Sequence, residues 1–207
     1  MERLLERAAK GFSEFLVLSD VGLVKLAEYG WYINSSISLG KTTGLMKKAI
    51  EGERDFLDDF LSHYYRKEIE DLSEVIHNGQ DARSRITFEA ITCHKEKKYF
   101  ASTILFLSQA DGLCNGELFK VRNDKKALKK YIAKSQYGSF FKILFGMITK
   151  ENAVDAGYSK MSNFESTLNR HAVMHGKDVQ YGTELNSLKA FSLFSFVDGF
   201  IDRYNKL

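Results

Sequence analysis

The chain contains no proline, although about ten would be expected in 207 residues at an ordinary usage of about 5%. Proline is the residue that most strongly interrupts a helix, so long helices can run here without obligatory breaks. The sequence also lacks a series of alternating strands separated by turn dipeptides, which disfavours a sheet protein. We therefore predict an all-α fold, a compact helical bundle that forms one domain over residues 1–207.

Composition narrows the class of protein further. The 44% hydrophobic and 28% charged residues are typical of a globular chain and argue against disorder. No apolar run reaches the roughly 18 residues of a membrane-spanning helix, and the first residues do not resemble a secretory signal, so we expect no membrane partner. Two cysteines, Cys93 and Cys114, exclude a disulfide framework and fit a reducing compartment. These features predict a cytoplasmic protein.

Hydrophobic spacing locates several helices. Apolar residues recur every three to four positions over residues 57–76, which predicts a helix with one buried stripe. Residues 82–95 and 99–115 predict a helical hairpin. Gly40 and Gly44 are expected to punctuate the chain between helices.

A final amphipathic helix is predicted from Thr183, its expected N-cap after Gly182, to about Tyr204. Most of its apolar residues cover one broad arc. Leu188 and Phe191 fall on the otherwise polar side, so this end of the helix needs a second packing partner. That partner is either another helix of the same chain or a second subunit.

His171 and His175 are four residues apart, which on a helix is the spacing of two zinc ligands. A metalloprotease would need Glu at the position of Ala172, and no third ligand follows nearby. A helical zinc-binding protein therefore stays a minor alternative. In another interpretation, both histidines share a helical face with Phe164 and Leu168 and lie at the edge of the core without a catalytic role.

Arg170 is followed by the polar His171, by three further residues, and then by His175. This arrangement resembles the catalytic signature of HEPN ribonucleases, in which arginine precedes Asn, Asp or His and then a histidine. The context is also similar, because the motif lies in a helical pair at about 160–205 that ends in an amphipathic helix. The resemblance implies a HEPN-type bundle from a toxin or phage-defence protein.

The resemblance also implies a reaction. HEPN ribonucleases cut RNA without a metal or other cofactor, by attack of the ribose 2′-hydroxyl on the adjacent phosphate. His175 would exchange the proton, because histidine has an ordinary pKa near ~6.5. Arg170 would stabilise the charge on phosphorus, because its planar guanidinium stays protonated. His171 would orient His175 or bond the backbone, and Asn169 would hold the scissile nucleotide.

On one straight helix the side chains of Arg170 and His175 cannot both reach one phosphate. Five residues correspond to about 500° of rotation, so the two side chains point in directions roughly 140° apart. Either the helix ends at His175, with Gly176 as a left-handed cap, or two protomers share the site. HEPN proteins form two-fold dimers, so the resemblance implies a homodimer. We expect Leu188 and Phe191 near its interface.

Further residues are candidates for contacts with RNA. Lys129 and Lys130, in the basic segment 120–134, and Lys177 after the motif offer phosphate contacts. Tyr181 offers a ring on which a base could stack. A lysine-rich segment is also compatible with a merely solvated surface.

The alternative function is a non-catalytic HEPN-like module that binds a nucleotide or a protein. An antitoxin or regulatory protein is a further possible partner implied by the resemblance. The formal net charge of +3 is too small to indicate a nucleic-acid partner by itself.

Overall fold

The computed structural model describes residues 2–76, 81–120, 147–148, 152–164, 166 and 168–205. Within these residues the protein is all-α, as predicted, and contains no strand. The helices are α1 (Glu2–Glu28), α2 (Leu39–Ile50), α3 (Arg54–Ile76), α4 (Ala82–Lys95), α5 (Tyr99–Leu113), α6 (Arg170–Met174) and α7 (Glu184–Asn205), with a 3₁₀ turn at Tyr158–Asn163.

The predicted helices at 57–76 and 82–95, and the final helix, are confirmed in α3, α4 and α7, and the hairpin in α4 and α5. Asp81 caps α4, because its side chain accepts hydrogen bonds from the backbone N–H groups of Arg83 and Ser84. The turn into α5 is closed by Lys97, whose φ of 61° lies in the left-handed region. This tight turn makes α4 and α5 antiparallel neighbours.

The expected break at Gly40 and Gly44 is wrong, because both glycines lie inside α2. Both are exposed, and a Cβ built on either would meet no atom within 4 Å. The opposite face of α2 carries the buried side chains, including Leu45 and Met46, which pack toward α1. Burial of that face outweighs the cost of glycine in a helix, which is about 1 kcal/mol per residue.

Helix α7 lies at the centre of the bundle, between α5 and α3. Phe191 contacts both neighbours, with its ring centroid 6.0 Å from that of Tyr65 on α3 and 5.2 Å from that of Phe106 on α5. Leu188 is 0% exposed and Phe191 is 1% exposed. The second packing partner is therefore a helix of the same chain. The placement of these two residues at a subunit interface is corrected, since neither offers surface to a partner.

Polar residues in the first half of α7 are buried as well, which the amphipathic pattern did not predict. Ser187, Lys189 and Ser192 are each fully buried. The Nζ of Lys189 lies 3.0 Å from Asp58 Oδ1 and 5.3 Å from the centre of the Trp31 ring. Trp31 Nε1 donates to the same carboxylate oxygen at 2.7 Å. An ion pair and an indole thus hold α7 against α3 and the segment after α1.

A second buried polar chain joins α7 to the α4–α5 hairpin. His94 Nδ1 lies 2.8 Å from Ser187 Oγ, which lies 2.7 Å from Ser102 Oγ. Burial lowers the pKa of His94, partly opposed by the nearby charge of Glu184. The neutral imidazole is therefore the form that this packing favours.

No helix among the described residues is both long and apolar enough to span a membrane.

Replacing Asp58 by Ala is expected to lower the free energy of unfolding by about 3–5 kcal/mol, because it leaves the buried Lys189 ammonium without its carboxylate. Urea denaturation measures the change. The matched control is Asp59→Ala at the exposed neighbouring position, expected to stay within about 0.5 kcal/mol. Equal losses for the two variants would contradict this role for the ion pair.

The free energy of unfolding is expected to fall as the pH drops from 7.5 to 5.5. The unfolded chain binds a proton at the ordinary histidine pKa, while burial keeps His94 neutral in the folded state, so stability is lost below about pH 6.5. The slope from His94 is at most about 1.4 kcal/mol per pH unit. Urea denaturation at a series of pH values measures this slope, and it should be smaller in His94→Gln than in the wild type. An unchanged slope would refute the role of His94 in the pH dependence.

Candidate functional site

The short helix α6 carries the motif, and Asn169 fixes where it begins. Asn169 is 2% exposed, and its side-chain oxygen accepts from the N–H of Ala172 at 2.9 Å. Its amide nitrogen donates to the carbonyl oxygens of Ala153 at 2.8 Å and Ala156 at 2.9 Å. The role predicted for Asn169, holding a nucleotide, is corrected, because its side chain is buried and its polar atoms bond the backbone.

The turn before the 3₁₀ segment connects α6 to the core. The N–H of Arg170 donates to the carbonyl of Val154 at 2.9 Å. Asn152 accepts a hydrogen bond from the hydroxyl of Tyr32 at 2.9 Å, and Tyr32 is 1% exposed. The start of α6 is therefore tied, through this turn, to the buried segment that follows α1.

Helix α6 ends at Met174, so His175 lies just outside it. Gly176 has a φ of +65°, and the N–H of Lys177 donates to the carbonyl of Ala172 at 2.9 Å, which closes the helix end. The early helix end with a left-handed glycine, one of the alternatives that the spacing left open, is therefore present in the structure. Phe164 and Leu168 precede α6, so they do not share a helical face with the two histidines.

The two imidazoles pack against each other. The ring centroids of His171 and His175 are 4.4 Å apart, with 62° between the ring planes. The guanidinium carbon of Arg170 lies 5.0 Å from the centre of the Phe119 ring. The cation–π contact with Phe119 was not predicted, because nothing in the sequence links these two distant positions.

The motif is the centre of a basic cluster formed by Arg170, His171, His175 and Lys177. Burial lowers the pKa of His171, and the charges of His175, Lys177 and Arg170 lower it further. His175 and Lys177 are exposed, whereas Arg170 and His171 are half-buried. The cluster thus presents positive charge to solvent while it favours a neutral imidazole at its centre.

Among the described residues, no third ligand accompanies the two histidines to support the zinc interpretation. Across the described part of the chain, no group of three or more His, Cys, Asp or Glu side chains is arranged to hold a metal ion. The two histidines alone would leave a zinc site incomplete.

Of the residues predicted to contact RNA, only some lie near the motif in the structure. Lys177 belongs to the basic cluster. Tyr181 is half-buried, and its ring packs edge-on against Phe100 with centroids 5.0 Å apart. Lys129 and Lys130 lie outside the described residues.

No known protein-family model, curated protein or solved structure matches the chain. The assignment of a function therefore rests on the geometry of the site and on the motif itself.

Replacing Gly176 by Ala is expected to lower the free energy of unfolding by about 1–2 kcal/mol, because an L side chain is strained at its φ of +65°. Gly157→Ala is the matched control. Gly157 has a φ of −60°, and a Cβ there would meet no atom within 4 Å, so little change is expected. Urea denaturation distinguishes the two, and equal stabilities would show that the left-handed cap does not constrain the end of α6.

Proposed function

We propose that the protein is a metal-independent endoribonuclease of the HEPN type, with Arg170 and His175 as its catalytic residues. The observation that carries the proposal is the basic cluster around α6, in which the motif arginine and two contacting imidazoles are grouped at a partly exposed helix end. Such a cluster suits an anionic phosphodiester.

The contact between His171 and His175 supports acid–base chemistry. The two ring centroids lie 4.4 Å apart, and burial together with the charge of His175 lowers the pKa of His171, which favours a neutral imidazole beside His175. In our proposal the exposed His175 accepts the proton of the ribose 2′-hydroxyl, and His171 orients it.

Arg170 and Lys177 supply positive charge for the phosphate. As the 2′-oxygen bonds to phosphorus, negative charge grows on the non-bridging oxygens, and a guanidinium stabilises it through paired N–H donors. Stacking over Phe119 restricts the orientation of the Arg170 side chain. The bond from phosphorus to the 5′-oxygen then breaks, the proton passes to that oxygen, and a 2′,3′-cyclic phosphate and a 5′-hydroxyl remain.

The biological setting follows the same resemblance. We propose a toxin or antiphage effector that acts as a homodimer and is controlled by an antitoxin or regulatory protein. Because Leu188 and Phe191 are buried within the chain, a dimer would have to use other residues.

Purified protein is expected to cleave RNA in EDTA and to leave cyclic-phosphate ends. Arg170→Ala and His175→Ala should each reduce the rate by about a hundredfold or more, because one loses the charge that stabilises the transition state and the other loses the proton acceptor. Gel assays on labelled RNA measure the rates, and end analysis identifies the products.

The matched control is Arg85→Ala, which removes an exposed arginine from α4 and should cleave at the wild-type rate. Thermal melting checks that each variant is folded. Cleavage that requires a divalent metal, or that persists in both motif variants, would overturn the proposal. An inactive wild type that binds RNA or nucleotides would favour the non-catalytic module instead.

A further inference from the structure

A cleft of about 700 Å³ opens between α3, α7 and the segment after α1. Its size is that of a typical small-molecule site, which ranges over about 300–1,000 Å³. None of the residues in the basic cluster around α6 is among the described residues that line it. Phe60, Leu72 and Phe194 contribute apolar walls, and Glu68 and Asn34 contribute polar groups.

Glu68 is held in place by donors from three parts of the chain. The amide nitrogen of Asn34 lies 2.7 Å from each carboxylate oxygen. The hydroxyls of Tyr64 and Ser195 each donate to the carboxylate at 3.4 Å. Asn34 also donates to Ser195 at 2.8 Å, so the groups form one network. Because of this network, the position of the carboxylate is set before any ligand arrives.

The carboxylate of Glu68 is half-buried, and none of the described residues forms an ion pair with it. Burial raises its pKa, and the nearby charge of Asp71 acts in the same direction, while the hydrogen bonds oppose the shift. Lys67, which also lines the cleft, is paired with Asp71 at 2.9 Å. Asp58, earlier on the same helix, has the buried ammonium of Lys189 as its partner. Among the residues that the structure describes, Glu68 has no such cation.

The walls of the cleft also suit a cation. Phe60, Tyr64 and Phe194 line it, and the faces of aromatic rings attract positive charge. Burial raises the pKa of Tyr64 to about 12, so its hydroxyl remains a donor. Lys41 and His63 also line the cleft, but both are exposed, so water and salt screen their charge.

We propose that this cleft binds a small organic cation, a primary ammonium on an apolar body, with its charged end against Glu68. The ammonium supplies the positive charge that the carboxylate lacks, and the apolar body packs on the aromatic walls. The site is distinct from the basic cluster at α6, so this proposal does not depend on the ribonuclease.

The full-length protein is titrated with phenethylammonium chloride by calorimetry, and thermal melting is followed in parallel. Binding is expected to raise the melting temperature. The neutral isostere 2-phenylethanol and the anion 3-phenylpropionate should bind at least about tenfold more weakly, because neither carries a cation for Glu68. Equal binding of the neutral isostere, or no binding of the ammonium at 10-fold excess over about 1 mM protein, would overturn the proposal.

Glu68→Gln keeps the shape of the side chain and removes its charge, so it should weaken binding of the ammonium at least about tenfold. Glu70→Gln is the matched control, because Glu70 is exposed and does not line the cleft. Ser36→Trp is a second variant at an exposed position on the cleft, and its bulk should block binding without unfolding the protein. Wild-type affinity in both Glu68→Gln and Ser36→Trp would refute the site.

Discussion

The fold depends on the ion pair between Asp58 and Lys189, because it allows the first half of the central helix, residues 186–194, to be buried on all sides. A lysine without exposed surface is costly unless an opposite charge and further contacts accompany it. Trp31 provides both a donor to the carboxylate and a ring beside the ammonium. Helix α7 packs between α3 and α5, α4 packs on α5 and α3, and α2 lies between α1 and α3.

Much of the helical framework could be predicted, because proline is absent and apolar residues recur at helical spacing over residues 57–76, the segment of α3. The errors have physical causes. Gly40 and Gly44 lie on the exposed face of a helix whose other face is buried, and a glycine signal taken alone does not include that burial. Ser192 lies outside the apolar arc of α7 and is nevertheless buried, since polarity alone does not distinguish solvent from a hydrogen-bonded neighbour.

The features of the candidate site that depend on residues close together in the sequence could be predicted. The spacing from Arg170 to His175, together with Gly176, made an early helix end one of two alternatives, and the backbone around Gly176 closes the helix there. Contacts between distant segments could not be predicted in this way. The stacking of Arg170 on Phe119, and the hydrogen bonds from Asn169 to the 153–156 turn, depend on how the chain returns on itself.

The anchoring of α6 by Asn169 and Val154 has a mechanical consequence. The five-residue helix is too short to be stable by itself, so its orientation is inherited from the turn to which it is bonded. That turn is connected to the interior through Asn152 and Tyr32. A shift in the interior of the bundle would thus move the imidazoles of His171 and His175 together. Their orientation relative to the bundle would change, while the distance and angle between the two rings would stay the same.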